Sequence, residues 1–218
     1  MQNLRWFVVG VLGATLLCPR MSVAQEITGT GDPLLAIPGG TVINFDSTTP
    51  GTYSSLNYSG VTIGGANDQT GSLMRVASQY AGQYNTRGTQ YLDNGQGSGY
   101  QTFKFNFSTP VSKFAFLFGA SDVNWTLTDF DVAQNAIESA VILPTKASNA
   151  GDYFGFQDNG IASATLVSSN PNSRDYVFVD NFTYQQNAVA TPEPGSIALL
   201  VTGGLSGVAF LRRKRTRK

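Results

Sequence analysis

This 218-residue chain contains carboxylates in positions that could serve acid–base catalysis or bind a cation. Asp129 and Asp131 are two residues apart in a segment with strand character, so a regular strand would place both side chains on one face. Such a pair suits general acid and base work on a glycosidic bond, or the binding of a cation. Asp122 lies in the predicted turn before the same segment.

Other catalytic groups are scarce. The chain has no His, which excludes a Ser-His-Asp triad, a Cys-His pair and a His metal ligand. Its one Cys, Cys18, excludes an internal disulfide, and the sequence has no phosphate loop, nucleophile elbow or EF-hand spacing. We therefore expect a domain that is not an enzyme, and a carboxylate-dependent glycosidase is the less favoured alternative.

A second set of carboxylates suggests a cation as the cofactor. Asp46 follows the first predicted strand in Asn-Phe-Asp, and Asp180 lies in the last one in Asp-Asn-Phe. The first and last strands of a jelly roll often meet at a sheet edge, which would bring these two side chains together. Calcium prefers such oxygen ligands. The competing interpretation is that both carboxylates only accept hydrogen bonds from the backbone.

The segment Gln79–Tyr100 is rich in Tyr, Gln, Asn and Gly. Tyrosine rings stack on sugars, and amide side chains hydrogen-bond to their hydroxyl groups. Tyr84 and Tyr91 are the predicted ligand contacts if the domain binds carbohydrate. A long surface loop without a ligand is the competing interpretation.

These residues must be positioned by strands, because the middle of the chain alternates with period two. Three Phe residues alternate with other residues in each of two segments: Phe103, Phe105 and Phe107, then Phe114, Phe116 and Phe118. Alternation places each triplet on one face of a strand. The intervening Ser108-Thr109-Pro110 predicts a turn, and hence a hairpin with aromatic pairs between its two strands.

Further alternating segments are separated by turn signals such as Asp158-Asn159-Gly160. They predict strands over Thr41–Phe45, Val61–Ile63, Leu73–Ala77, Asn124–Phe130, Ala136–Leu143, Ile161–Val167 and Tyr176–Tyr184. In the last of these, Tyr176, Phe178, Phe182 and Tyr184 are expected to share a face. The fold class is therefore all-β, an antiparallel β-sandwich or jelly-roll-like domain over residues 25–185.

The N-terminus predicts export. Arg5 precedes an apolar run from Trp6 to Leu17, and Ser22 and Ala24 supply the small residues that precede a cleavage site. This pattern is typical of a secretory signal peptide over residues 1–24, with a signal helix and cleavage between Ala24 and Gln25.

The C-terminus predicts a short membrane-spanning helix. After a linker over residues 186–191 come Pro192, Glu193 and Pro194, an apolar run over 197–211, and a basic tail over 212–218. Fifteen helical residues span about 22 Å, which is short for a bilayer. The basic tail should stay in the cytoplasm, so that everything before Pro192 lies outside.

This tail resembles the PEP-CTERM sorting signal of bacterial surface proteins, which is also known as the ice-binding protein C-terminal domain. The Pro192-Glu193-Pro194 motif, the apolar helix and the Arg-rich end occur in the family's order over residues 192–218. The resemblance implies that exosortase, a membrane protease-transpeptidase, recognises Pro192, Glu193 and Pro194. It also implies sorting to the cell envelope, the cell surface or an extracellular matrix, where exopolysaccharide would be a partner. The secretion machinery and, before processing, the membrane would be further partners.

The formal net charge of zero conceals an uneven distribution. Between Gln25 and Leu211 there are 14 acidic and only 6 basic residues, because the other cations lie in the two end segments. The exported part is therefore acidic and should repel nucleic acid. The sequence thus predicts a structural or binding domain outside the cell, with no nucleic-acid partner.

Overall fold

A computed structural model describes residues 24–65, 74–95, 102–170 and 175–187 of the chain. Every strand pairing within these ranges is antiparallel. The strands are β1 (Gln25–Thr30), β2 (Thr41–Ile43), β3 (Gly51–Tyr53), β4 (Ser55–Tyr58), β5 (Val61–Gly65), β6 (Met74–Ala77), β7 (Tyr91–Asp93), β8 (Thr102–Gly119), β9 (Trp125–Phe130), β10 (Ala136–Ile142), β11 (Asp152–Ser168) and β12 (Phe178–Gln186). One short helix, α1 (Pro33–Ala36), follows β1.

The predicted all-β class is confirmed, and the predicted strands lie within one or two residues of β2, β5, β6, β9, β10 and β12. Ile161–Val167 is the second half of the longer strand β11. The jelly-roll variant of the sandwich stays a prediction.

The predicted Phe hairpin is wrong. Residues 102–119 form one continuous strand, β8, and Ser108-Thr109-Pro110 is an irregular stretch within it. Both halves of β8 pair with the same partner strand: Phe105 lies opposite Ala164 of β11, and Phe116 lies opposite Phe154 of β11. The strand bends where the register shifts, so the turn signal marks a bend and not a reversal.

The bends in β8 and β11 fold one continuous sheet into two facing layers. The first half of β8 and the second half of β11 lie beside β5 and β9, whereas their other halves lie beside β12 and β1. Rings from the two halves of β8 meet across the layers: the ring centroids of Phe105 and Phe116 are 5.3 Å apart, and those of Phe107 and Phe114 are 5.7 Å apart. The aromatic pairs that the sequence predicted across a hairpin therefore exist between the layers.

The core centres on Phe182 of β12. This ring is fully buried and stacks on Phe105 at 4.8 Å and on Phe116 at 6.0 Å. Phe114 and Phe107 each lie 6.1 Å from it. Each aromatic pair adds about 0.5–1.5 kcal/mol beyond its area burial, so this cluster is a principal contributor to stability.

The prediction that Tyr176, Phe178, Phe182 and Tyr184 share a face is wrong. Between the pairs Asp180–Leu117 and Thr183–Ala115, β12 has one residue more than β8. This bulge, with Asn181 at a φ of 43°, reverses the alternation of side chains. Phe178 therefore faces away from the layer that buries Phe182.

The predicted domain limits of 25 and 185 stay a prediction, because the flanking segments are not described. β1 begins at Gln25, and β12 ends at Gln186, one residue beyond the predicted end. The signal segment up to residue 23 and the sorting segment 192–218 lie outside the described residues. Among the residues that are described, no helix has the length and apolar character needed to span a bilayer.

Two glycines on strands provide a matched test of this packing. A Cβ at Gly155 of β11 would lie 1.9 Å from the carbonyl oxygen of Phe114, whereas the nearest atom to a Cβ at Gly64 of β5 would be 3.5 Å away. We expect Gly155→Ala to lower the free energy of unfolding by about 1–3 kcal/mol, because β11 must move away from β8. Gly64→Ala should change it by less than about 0.5 kcal/mol. Chemical denaturation measures both, and equal effects would contradict the bend geometry.

Candidate functional site

An aromatic cleft of about 360 Å³ lies on the outer face of the sheet, where β12 begins. Its lining combines four aromatic rings with a few polar groups: Tyr80, Tyr84, Ala120, Asp122, Lys146, Tyr176 and Phe178. Aromatic rings can stack on a sugar, and neighbouring polar groups can hydrogen-bond to its hydroxyl groups.

Phe178 is the centre of the cleft floor. Its ring is buried, and its centroid lies 5.0 Å from that of Tyr176 and 5.6 Å from that of Tyr80. Tyr84 meets it edge-on at 5.9 Å and keeps 37% of its surface exposed. Tyr84 is therefore the most exposed ring of the cluster, and Phe178 and Tyr80 support it from the side.

Tyr176 is held by an ion pair whose carboxylate is buried and whose guanidinium is partly exposed. Its hydroxyl donates to Oδ2 of Asp93 at 2.8 Å, and Nε of Arg75 donates to the same oxygen at 3.0 Å. The guanidinium of Arg75 also lies over the Tyr176 ring, 5.7 Å from its centroid. Burial and the bond to Asp93 raise the pKa of Tyr176, so its hydroxyl stays protonated and keeps its position.

The loop that carries Tyr84 approaches the sheet closely. A Cβ at Gly119 would collide with the Tyr84 carbonyl, so only glycine at the end of β8 leaves room for the loop. Tyr84 and Asn85 both adopt positive φ, 51° and 68°. The buried Asn85 side chain fixes this turn, because its Nδ2 donates to the Phe118 carbonyl at 2.9 Å and its Oδ1 accepts from the Gly151 amide at 2.8 Å.

Charged groups form one rim of the cleft. Nζ of Lys146 lies 2.7 Å from Oδ1 of Asp122, and both side chains are largely exposed. The Asp122 amide donates to Oδ1 of Asp175 at 2.7 Å, and Nε1 of Trp125 donates to its Oδ2 at 2.7 Å. The buried Asp175 therefore joins the rim to β9, and the rim offers both a donor and an acceptor to a ligand.

The two Tyr residues predicted as ligand contacts have different environments. Tyr84 lines the cleft, and its role as a ligand contact stays a prediction. Tyr91 is fully buried, with its ring centroid 4.5 Å from that of Phe178, so its prediction as a ligand contact is wrong. Its hydroxyl accepts from the Tyr80 amide, which makes it a support beneath the cleft.

Tyr176 and Phe178 were missed as site residues because their alternation suggested a core strand. The bulge that turns Phe178 outwards leaves no mark in residue composition. The segment Gln79–Tyr100 contributes two residues to the cleft, Tyr80 and Tyr84.

Asp46 and Asp180 lie close enough to interact: burial raises the pKa of Asp180, and the charge of Asp46 adds to that rise. Both carboxylates bind the same loop. Oδ1 of Asp46 accepts from the amides of Thr89 at 2.7 Å and Gln90 at 2.9 Å, and Oδ2 of Asp180 accepts from the Arg87 amide at 2.7 Å. The geometry favours loop anchoring, and calcium at this pair stays a prediction.

Asp129 and Asp131 do not share a strand face, so that expectation is wrong. β9 ends at Phe130, and Asp131 begins the turn to β10, where its two oxygens accept from the amide and the side chain of Asn135 at 2.9 and 3.0 Å. Asp129 is fully buried on the core side of β9. Two carboxylates that flank a glycosidic bond are therefore not formed by this pair.

Comparison with known proteins identifies no family: no protein-family model matches the chain, and no curated protein matches it in sequence. Among solved structures, a cleaved adhesin domain of Lys-gingipain from Porphyromonas gingivalis is 11% identical, with 68% of this chain and 99% of that chain covered and a TM-score of 0.45.

Two other solved structures are similar to this chain with lower TM-scores. A DUF4465 family protein from Bacteroides caccae is 12% identical, covers 75% of this chain and 100% of its own, and gives a TM-score of 0.39. TmCBM61, solved in complex with β-1,4-galactotriose, is 14% identical over 58% of this chain and 88% of its own, with a TM-score of 0.37.

The buried Asp180 predicts a pH dependence of stability. Burial raises the pKa of Asp180 to about 7, well above the value near 4 of an unfolded carboxyl group. Between these values the folded state binds more protons than the unfolded state, so stability falls as the pH rises through this window. We expect a lower melting temperature at pH 8 than at pH 5, measured by circular dichroism.

The matched variant is Asp180→Asn, which removes the titrating group and should flatten this dependence. Burial also raises the pKa of Asp129, to about 6, so a smaller residual slope is expected in the variant. A wild-type melting temperature that rises from pH 5 to pH 8 would contradict the assignment.

Proposed function

We propose that this domain is a non-catalytic saccharide-binding module and that the aromatic cleft is its ligand site. The observation that carries the proposal is the half-exposed Tyr84 ring, supported by Phe178 and flanked by the Asp122–Lys146 pair. A tyrosine ring stacks on the C–H face of a sugar, while a neighbouring carboxylate and ammonium bind its hydroxyl groups.

The charge of the domain favours neutral glycans. Acidic residues exceed basic ones by eight between Gln25 and Leu211, which disfavours an anionic polysaccharide. The ligand class is therefore a neutral exopolysaccharide or a neutral segment of one.

Binding should depend on the Tyr84 ring and not on its hydroxyl. We expect the purified protein to bind a neutral polysaccharide on a glycan array, with Tyr84→Ala weakening the affinity by about tenfold, because the stacking surface is lost. Tyr84→Phe should retain most of the affinity. Isothermal titration with the best glycan measures both.

Tyr153→Ala is the control. Tyr153 is a partly exposed tyrosine on β11 that does not line the cleft, so its removal should leave the affinity unchanged. Equal losses in Tyr84→Ala and Tyr153→Ala, or binding to no glycan at all, would overturn the proposal.

We further propose that the chain is exported and sorted to the cell surface or matrix through its two end segments. The support is in the sequence: an N-terminal signal pattern, and the Pro192-Glu193-Pro194 motif followed by an apolar run and a basic tail. A cleft for neutral glycans would then act in the polysaccharide layer outside the cell.

Processing at both ends is the testable consequence. Mass spectrometry of the mature protein should find a chain that begins at Gln25 and ends near residues 192–194. Replacing Pro192, Glu193 and Pro194 together by Ala should leave the C-terminus unprocessed, whereas Ala190→Ser in the linker should not. A wild-type mature chain that retains Lys218 would contradict processing and indicate a plain membrane anchor.

A further inference from the structure

Four carboxylates gather at the end of the sandwich opposite the cleft. Asp129 of β9 lies opposite Glu138 of β10, Asp158 lies where β11 bends, and Glu26 belongs to β1. Burial raises the pKa of both Asp129 and Glu138, and nearby negative charges add to this effect: Asp158 and Glu138 act on Asp129, and Glu26 and Asp158 act on Glu138. The cluster thus joins strands of both layers at one open end.

Two oxygens of this cluster are buried without a hydrogen-bond donor. Asp129 is fully buried, and its Oδ1 accepts from the Glu138 amide at 2.8 Å. Its Oδ2 has no partner, and neither has the buried Oε2 of Glu138. Buried carboxylate oxygens are nearly always satisfied by a donor or a cation, because leaving them bare is costly.

No ion pair among the described residues involves a carboxylate of this cluster. The ion pairs of the described residues, Arg75–Asp93 and Lys146–Asp122, lie at the cleft. Because like charges repel strongly where water is excluded, an external positive charge is the natural complement of the cluster.

We propose that Asp129, Glu138 and Asp158 bind a calcium ion at this end of the sandwich. All the available ligands are oxygens, and calcium accepts six to eight of them in flexible geometries, with water completing the shell. Among the described residues, no three carboxylates are already placed to hold a metal ion together. Glu138 is partly exposed as a residue although its Oε2 is buried, and we expect its carboxylate to adjust towards Asp129 when the ion binds.

This site is separate from the cleft. Trp125 begins β9 at the cleft end, where it binds Asp175, and Asp129 lies four residues further along the strand. Four residues of extended chain span about 13 Å. Calcium should therefore stabilise the fold and leave saccharide affinity unchanged, so that the two proposals succeed or fail independently.

The test measures the melting temperature of the full chain at pH 7.5 in about 10 mM calcium chloride and in chelator. For a dissociation constant of about 10⁻⁴ M, we expect calcium to raise the melting temperature by about 5 °C. Asp129→Asn and Glu138→Gln should each abolish the rise. Asp129→Asn should nevertheless fold, with a melting temperature in chelator at or above that of the wild type, because it removes the repulsion.

Two controls locate the ion. Asp131→Asn changes a neighbouring carboxylate that is bonded to Asn135, and Asp46→Asn changes the other candidate calcium pair, so both variants should keep the rise. A rise that is lost in Asp46→Asn and kept in Asp129→Asn would place calcium at Asp46 and Asp180 and overturn the proposal. No rise in the wild type would also overturn it, and would indicate that the carboxylates share a proton instead.

Discussion

The strict alternation of side chains along a β-strand is the constraint on which this fold depends. A strand that follows it without interruption has one set of residues on each face. In β12 the alternation of inward and outward side chains is reversed near Asp180 and Asn181, where this strand has one residue more than β8. As a result Phe182 enters the core and Phe178, four residues away, supports a surface cleft. One bulge thus lets a single strand build both the core and the candidate site.

The same device shapes the long strand β8. Its two Phe triplets both face the core. Phe107 and Phe114 are seven positions apart, and an odd spacing would place them on opposite faces of a regular strand. Between the pairs Val111–Gln186 and Lys113–Gln185, β8 has one residue more than β12, namely Ser112. This bulge turns the second Phe triplet towards the core. The bend also carries β8 from one layer to the other, so that its own rings meet across the core.

Strand positions were predictable because they depend on local patterns, and the wrong predictions concern how strands meet. Period-two spacing shows that Phe105 and Phe116 lie on apolar faces, but it cannot distinguish a hairpin from two layers of one bent strand. Tyr84 was predictable from the composition of its loop. The position of Phe178 at the cleft was not, because a bulge in β12 decides which face its ring takes and a bulge has no reliable residue signature. The burial of Tyr91 was not predictable either, because it depends on the Phe178 ring that packs against it.

The placement of charge follows from the same geometry. At the cleft end, Asp93 and Asp175 are buried with donors that fix the rings and the rim: Arg75 and Tyr176 bind the first, and Trp125 binds the second. At the other end, Asp129 is buried to the same extent with one oxygen unsatisfied. A domain that gains no disulfide from its single Cys relies on its core for stability, so an uncompensated charge there is a substantial penalty. A bound cation would remove that penalty at this end of the sandwich, about 13 Å along β9 from the residues that support the cleft.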